Sequence, residues 1–260
     1  MRRLQSRTNP QFKQIARLAI SARERRSTGR ILLDGVHLID AYLDALGARD
    51  VSLILREDAL EAHDAVRLLG RTRQEAALIL SERLFDALSP VDTPTGIMAL
   101  APMPAASRHP SHDGFCVLLD GVQDPGNLGA ILRSAAAAGC SEAFLSPQCA
   151  DPWSPRCLRG GMGAQFRIIV HERQELDHVA AVFPGRVIAA AASGETELYS
   201  LRFEGRCAFV IGGEGRGVSP RLLEQAAATV RIPMAAGIES LNAAAAATLL
   251  FYEWARQRRG

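Results

Sequence analysis

The chain has 260 residues, a net charge of only +2, and 48% hydrophobic but 5% aromatic residues, which suits an α/β protein packed with Ala, Leu and Val. That length fits one large domain or two small ones. No apolar run is long enough to span a bilayer, no signal-peptide core follows Met1, and five cysteines without a CxxC pair speak against a disulfide framework or a zinc site. A reducing compartment, the cytoplasm, is the expected setting.

The charge is unevenly placed. Residues 1–30 hold Arg2, Arg3, Arg7, Lys13, Arg17, Arg23, Arg25, Arg26 and Arg30 against the single acid Glu24, nine cations less one acid or +8. A solvated helix face, an acid-poor transit peptide and a phosphate-binding patch are the three readings; the scarcity of acids favours the last. Ile15, Leu18, Ala19 and Ala22 form a core-facing stripe, so residues 9–26 read as one helix. Strands follow at 31–33, 51–55, 76–80 and 96–101, with helices at 36–46, up to about 69, and from Ser81 to Leu88. This alternation makes a small α/β/α domain over residues 1–101. Residues 102–114, PMPAASRHPSHDG, carry three prolines and no periodicity, and read as a linker.

The second half repeats the alternation from residue 115 to 260. Strands are expected at 115–119, 142–145, 166–170, 187–192, 207–211 and 229–232, helices at 127–138, 154–162, 172–182, 219–227 and 240–256. Unbroken apolar strands with crossover helices make an open parallel sheet, with ligands beyond the strands' carboxyl ends. Three turns lie there. Asp120 to Asn127 is dense in Gly, Pro, Asn and Asp, with Asn127 placed to cap the next helix and Arg133 among its Ala, Leu and Ile neighbours, in need of a partner. Residues 212–217 hold four glycines around Glu214 and Arg216, opening backbone N–H groups to a ligand, yet match neither GxGxxG nor a Walker loop. Residues 232–242 end in Ser240-Leu241-Asn242, where Ser240 reads as a helix cap and Asn242 as a side chain presented to a ligand.

The segments LDGVQDPGNLGAILRSA, FVIGGEGRGVS and IPMAAGIESLNAAAAATLLFYE together resemble, in order, the three signature motifs of the SpoU (TrmH-like) branch of the SPOUT RNA methyltransferases. Arg159 to Ala164 resembles the family's Arg-Ala-Ser-Met-Gly-Ala, with Gly160-Gly161 in place of Ala-Ser. Ile211-Gly212 stands where Phe-Gly is usual, and Ala243 where Val is common. Asn9-Pro10, Lys13, Leu33-Asp34-Gly35 and Thr93 to Gly96 look like the family's L30e-like substrate-binding domain. The resemblance implies a parallel sheet tied in a deep trefoil knot, S-adenosylmethionine as methyl donor, and a ribose 2′-hydroxyl of rRNA or tRNA as acceptor, with no metal. Gly212, Gly213, Gly217, Ile232, Met234 and Leu241 would hold the donor. Arg133 would act as electrostatic stabiliser or general base, oriented with the ribose by Asn127, Glu214, Ser240 and Asn242. A homodimer through the knotted domain is implied, in line with the final helix, whose Leu250, Phe251 and Trp254 would be left exposed by packing one stripe on the sheet. A catalytically inactive RNA-binding relative is the alternative, and a base-methylating SPOUT enzyme would lack the Asn127 and Arg133 pair.

Overall fold

Apolar runs buried on both faces become strands, and in the computed structural model they sort into two sheets. The structure describes residues 1–89, 91, 93–105 and 114–259, with the side chain of 259 excepted. Most of the proline-rich linker, residues 106–113, lies outside the described residues. The chain divides into two compact units, residues 1–105 with 153–166, and residues 106–152 with 167–260.

The first unit starts with β1 (Arg2–Leu4), α1 (Pro10–Ile20), α2 (Ala22–Thr28), β2 (Arg30–Asp34) and α3 (Val36–Leu46). It continues with β3 (Ser52–Arg56), α4 (His63–Arg71), β4 (Leu78–Leu80), α5 (Glu82–Asp86) and β5 (Ile97–Pro102). The sheet order is β1-β4-β3-β5-β2, with β5 antiparallel to both its neighbours. Leu4, Phe12, Ile15, Leu18, Ile54 and Phe85 pack its core. The single helix expected over 9–26 is two helices. Ser21 leaves helical geometry and its hydroxyl accepts from the Glu24 N–H, capping α2. Arg25 is buried and donates to the Leu18 carbonyl, so it is not one of the surface cations; Lys13 and Arg17 are exposed one turn apart on α1.

The second unit holds β6 (Phe115–Asp120), α6 (Pro125–Ala138), β7 (Cys140–Leu145), β8 (Ile169–His171), α8 (Leu176–Val182), β9 (Arg186–Ala190), β10 (Thr196–Glu197), β11 (Cys207–Gly212), α9 (Pro220–Gln225), β12 (Ala228–Arg231) and α10 (Ala243–Arg259). Its seven strands are all parallel, in the order β10-β12-β9-β11-β6-β7-β8. Helix α7 (Pro155–Gly161), which falls between β7 and β8 in the chain, belongs to the first unit. There the Phe166 ring meets Tyr42 edge to face at 5.1 Å. A methyl group at Gly163 would stand 2.5 Å from the Ala41 Cβ, so this segment lies directly on α3. Burial pushes the Asp34 carboxyl above its ordinary range, and the charge of Arg159 pulls it partly back.

Helix α10 corrects one expectation. Leu250, Phe251 and Trp254 are not exposed but 1%, 0% and 5% accessible. Phe251 and Trp254 lie 5.0 and 4.8 Å from the Phe115 ring on the central strand, because the helix presents a broad face to both the sheet and α6. The exposed stripe is Ala245, Leu249 and Tyr252 instead. Phe251→Ala should therefore cost about 3–5 kcal/mol of stability, read from the urea midpoint, as for a large core truncation. A loss below about 1 kcal/mol would mean that the helix does not hold the sheet.

Candidate functional site

The carboxyl ends of β6 and β11 are neighbours, and two turns leave them side by side. Asp120 ties them together. Its carbonyl accepts from the Gly213 N–H at 2.8 Å and its carboxylate from the Ser219 N–H at 2.9 Å, one bond at each end of the glycine loop. At two of the loop's glycines nothing larger fits. A Cβ on Gly212 would stand 2.0 Å from the Gly217 carbonyl carbon, and one on Gly213 would stand 2.1 Å from the Gly121 oxygen. Gly217 itself sits at φ +64°, in the left-handed region.

Glu214 projects from this loop, and a line of amides holds it. Asn242 caps α10, its Oδ1 accepting from the Ala244 N–H at 2.9 Å and the Ala245 N–H at 3.3 Å. That leaves its Nδ2 to donate to the Asn127 Oδ1 at 3.0 Å. The Asn127 Nδ2 then donates to the Glu214 carboxylate at 2.5 Å. The cap of one helix thus sets the polarity of the whole line. Two assignments from sequence shift here. Asn127 lies inside α6, and the cap is Asp124, which accepts from the Asn127 N–H ahead of Pro125. The last helix begins at Ala243, so Ser240 is not its cap and makes no hydrogen bond among the described residues.

A cavity of about 630 Å³ opens beside the loop, bounded by Ala190–Ala192, Ile211–Gly213, Gly217, Val218 and Ser240–Ala243. An apolar recess of about 120 Å³ adjoins it, between Val230, Ile232, Met234, Leu241 and Ala246. The structure thus gathers Gly212, Gly213, Gly217, Glu214, Ile232, Met234, Ser240, Leu241 and Asn242 around one hollow, with Asn127 bonded to its rim. Arg133 stands apart. It is exposed on α6, lines neither hollow, and has no ion pair or hydrogen bond among the described residues, so the line of amides does not orient it. Asp120 and Asp124 were not singled out from the sequence, although a carboxylate ending an apolar strand and an Asp before Pro were both visible there.

S-adenosylmethionine fits this hollow. The volume lies within the roughly 300–1,000 Å³ of small-ligand sites, and an apolar recess beside bare backbone suits an adenosine with few orienting groups. The donor needs no metal to be electrophilic. Among the described residues no three His, Cys, Asp or Glu side chains are grouped so that they could hold a metal ion.

The model of the SpoU rRNA Methylase family matches residues 114–252, and that of the MRM3-like substrate binding domain matches residues 9–99. The chain belongs to the SpoU rRNA methylase family. It is 29% identical to the 23S rRNA (guanosine(2553)-2′-O)-methyltransferase RlmP of Bacillus subtilis, over 97% of this chain and 98% of that one. It is 32% identical to an uncharacterized tRNA/rRNA methyltransferase of Synechocystis, over 96% and 92%. The crystal structure of the SpoU methyltransferase AviRb from Streptomyces viridochromogenes, in complex with the cofactor AdoMet, superposes with a TM-score of 0.87 at 28% identity, covering 97% of this chain and 99% of that one.

In this SpoU methyltransferase the glycine loop should tolerate no side chain at its packed positions. Gly213→Ala should weaken S-adenosylhomocysteine binding tenfold or more by calorimetry and lower stability by about 1–3 kcal/mol, the cost of overpacking. Gly215→Ala, where a Cβ meets nothing within 4 Å, should leave stability near wild type. Equal stability and binding in the two variants would show that the loop is slack.

Proposed function

We propose that this chain transfers a methyl group from S-adenosylmethionine to a ribose 2′-hydroxyl of ribosomal RNA. The observation that carries the reading is the hydrogen-bonded line Glu214–Asn127–Asn242, which runs from the rim of the hollow to the cap of α10. The donor supplies a methyl group already activated on a sulfonium. Ile232, Met234 and Leu241 hold its adenine in the apolar recess, and the backbone of Gly212, Gly213 and Gly217 leaves room for the rest. Glu214 and Asn127 hold the ribose hydroxyl in line with the methyl carbon, and such alignment supplies roughly 7–11 kcal/mol. The oxygen–carbon bond forms as the carbon–sulfur bond breaks, and the hydroxyl proton leaves to water. Ser240, exposed at the mouth of the hollow, orients the ribose.

Arg133 is the electrostatic stabiliser in this reading, since an arginine stays protonated. Its place outside the hollow of its own chain supports a site completed by a second copy. Helix α6 packs on α10, Ser134 meets Thr248 at 2.7 Å, and Ala245, Leu249 and Tyr252 leave an apolar stripe on the outer face. Two-fold pairing of that face buries the stripe and carries each Arg133 toward its partner's site. The trefoil knot implied by the three motifs is part of the same reading, supported by the close backbone approach at Gly212 and that of Gly194 to Val230. The cytoplasm is its setting, in keeping with five free cysteines.

The first unit grips the RNA. Seven of the nine cations in residues 1–30 are exposed, while Arg25 is buried and Arg30 half-buried. The match of residues 9–99 to a substrate-binding domain supports the same role.

Arg133→Ala and Glu214→Ala should each cut label transfer from S-adenosylmethionine to ribosomal RNA about a hundredfold or more, with donor binding kept in the former. Co-expressed, the two should regain about a quarter of wild-type activity, because half of the dimers would carry one intact site. No recovery would sink the shared site, and a wild-type chain that binds RNA without transferring label would be the inactive relative. Lys13→Ala with Arg17→Ala should flatten the slope of log affinity against log salt by roughly 0.7–0.9 for each phosphate no longer neutralised. An unchanged slope would make them a solvated face. Deleting residues 1–30 is no substitute, because Leu4, Phe12, Ile15 and Leu18 would leave the core.

A further inference from the structure

Methyl transfer needs two occupants, and the glycine loop has a hollow on each side. The second, of about 620 Å³, lies between the loop and the turns that follow β6 and β7. Its walls are more polar than those of the first, with which it shares Glu214 and Arg216. Apart from Pro220 and the glycines, its walls are Asp120, Gln123, Gln148, Glu214, Arg216 and Ser219. Asp120 is engaged by the Ser219 N–H and Glu214 by Asn127. Gln123, Gln148 and Arg216 are exposed, and their side chains have no hydrogen-bond partner among the described residues.

We infer that this second hollow receives the target nucleotide of the RNA, with Gln123 and Gln148 reading its base and Arg216 holding a flanking phosphate. The inference rests on the methyl-transfer reading above. A carboxamide offers a donor and an acceptor side by side, the pattern that meets a base edge in two bonds. A guanidinium fork suits phosphate. Glu214 lines both hollows, so a ribose placed at its carboxylate has the donor on one side and its own base on the other. The Gln148 stem lies against the β6 turn, since a methyl at Gly121 would stand 3.9 Å from its Cβ. The two glutamines thus come from the turns of adjacent parallel strands and face one space. A base can enter only when unstacked, which matches recognition of loops and bulges rather than paired RNA.

The test uses the full chain, ribosomal RNA and labelled S-adenosylmethionine. Gln123→Ala and Gln148→Ala should each raise KM for RNA about tenfold, the scale of removing one two-bond pairing with a base edge. Their affinity for S-adenosylhomocysteine, measured by calorimetry, should stay near wild type. Unchanged KM in both variants overturns the inference. Weakened S-adenosylhomocysteine binding overturns it too, because the hollow would then hold the donor's amino-acid end. A wild-type protein that methylates no RNA defeats the methyl-transfer reading instead. The subsite is then decided by titrating the four ribonucleoside 5′-monophosphates into the S-adenosylhomocysteine complex. Shifts of the Gln123 and Gln148 side-chain amide resonances with one base preferred uphold it; shifts elsewhere alone, or none, overturn it.

Discussion

Two backbone approaches without room for a methyl group, Gly212 on Gly217 and Gly213 on Gly121, govern the second unit. They draw the turns after β6 and β11 so close that the groups of Asp120 can bond both ends of one loop. With the loop fixed, Glu214 has one place to be, and Asn127 reaches it from α6 while Asn242, the cap of α10, holds Asn127 in turn. Strand ends, helix caps and candidate chemistry are therefore one arrangement, and the hollows on either side of the loop are what the tight packing leaves over.

The parallel sheet was legible because a strand buried on both faces must be apolar throughout. Phe115–Leu119 and Cys207–Ile211 have no other use for so many consecutive apolar residues. Helix α3 was legible to the residue, since Gly47 ends an unbroken apolar period. Two short strands were not. β1 is three residues with two arginines in the open, and β10 is two residues, so neither carries a period to read. The break at Ser21 was hidden because the apolar stripe runs on while the hydroxyl caps a new helix.

The site was legible in its residue types but not in its wiring. The motifs named Asn127, Glu214 and Asn242, yet the line they form runs through hydrogen bonds between side chains 87 and 115 positions apart, and its polarity follows from the cap of α10. Burial on α10 was misjudged for a related reason. A helical wheel gives the direction of Leu250, Phe251 and Trp254 but not how much of the circumference its neighbours cover. Here the sheet and α6 cover most of it.

Residues 153–166 have a consequence for how the protein can be divided. The backbone passes from one unit to the other three times, near residues 105, 152 and 166. One cut between residues 105 and 106 leaves the units joined by two strands of chain. A fragment starting at residue 114 would carry Leu158 and Phe166 without the β2 and Tyr42 surfaces that bury them. Sequence halves and folding halves do not coincide, so exchanging the amino-terminal unit for that of a relative would mean exchanging this short internal loop with it, two distant stretches inherited as one.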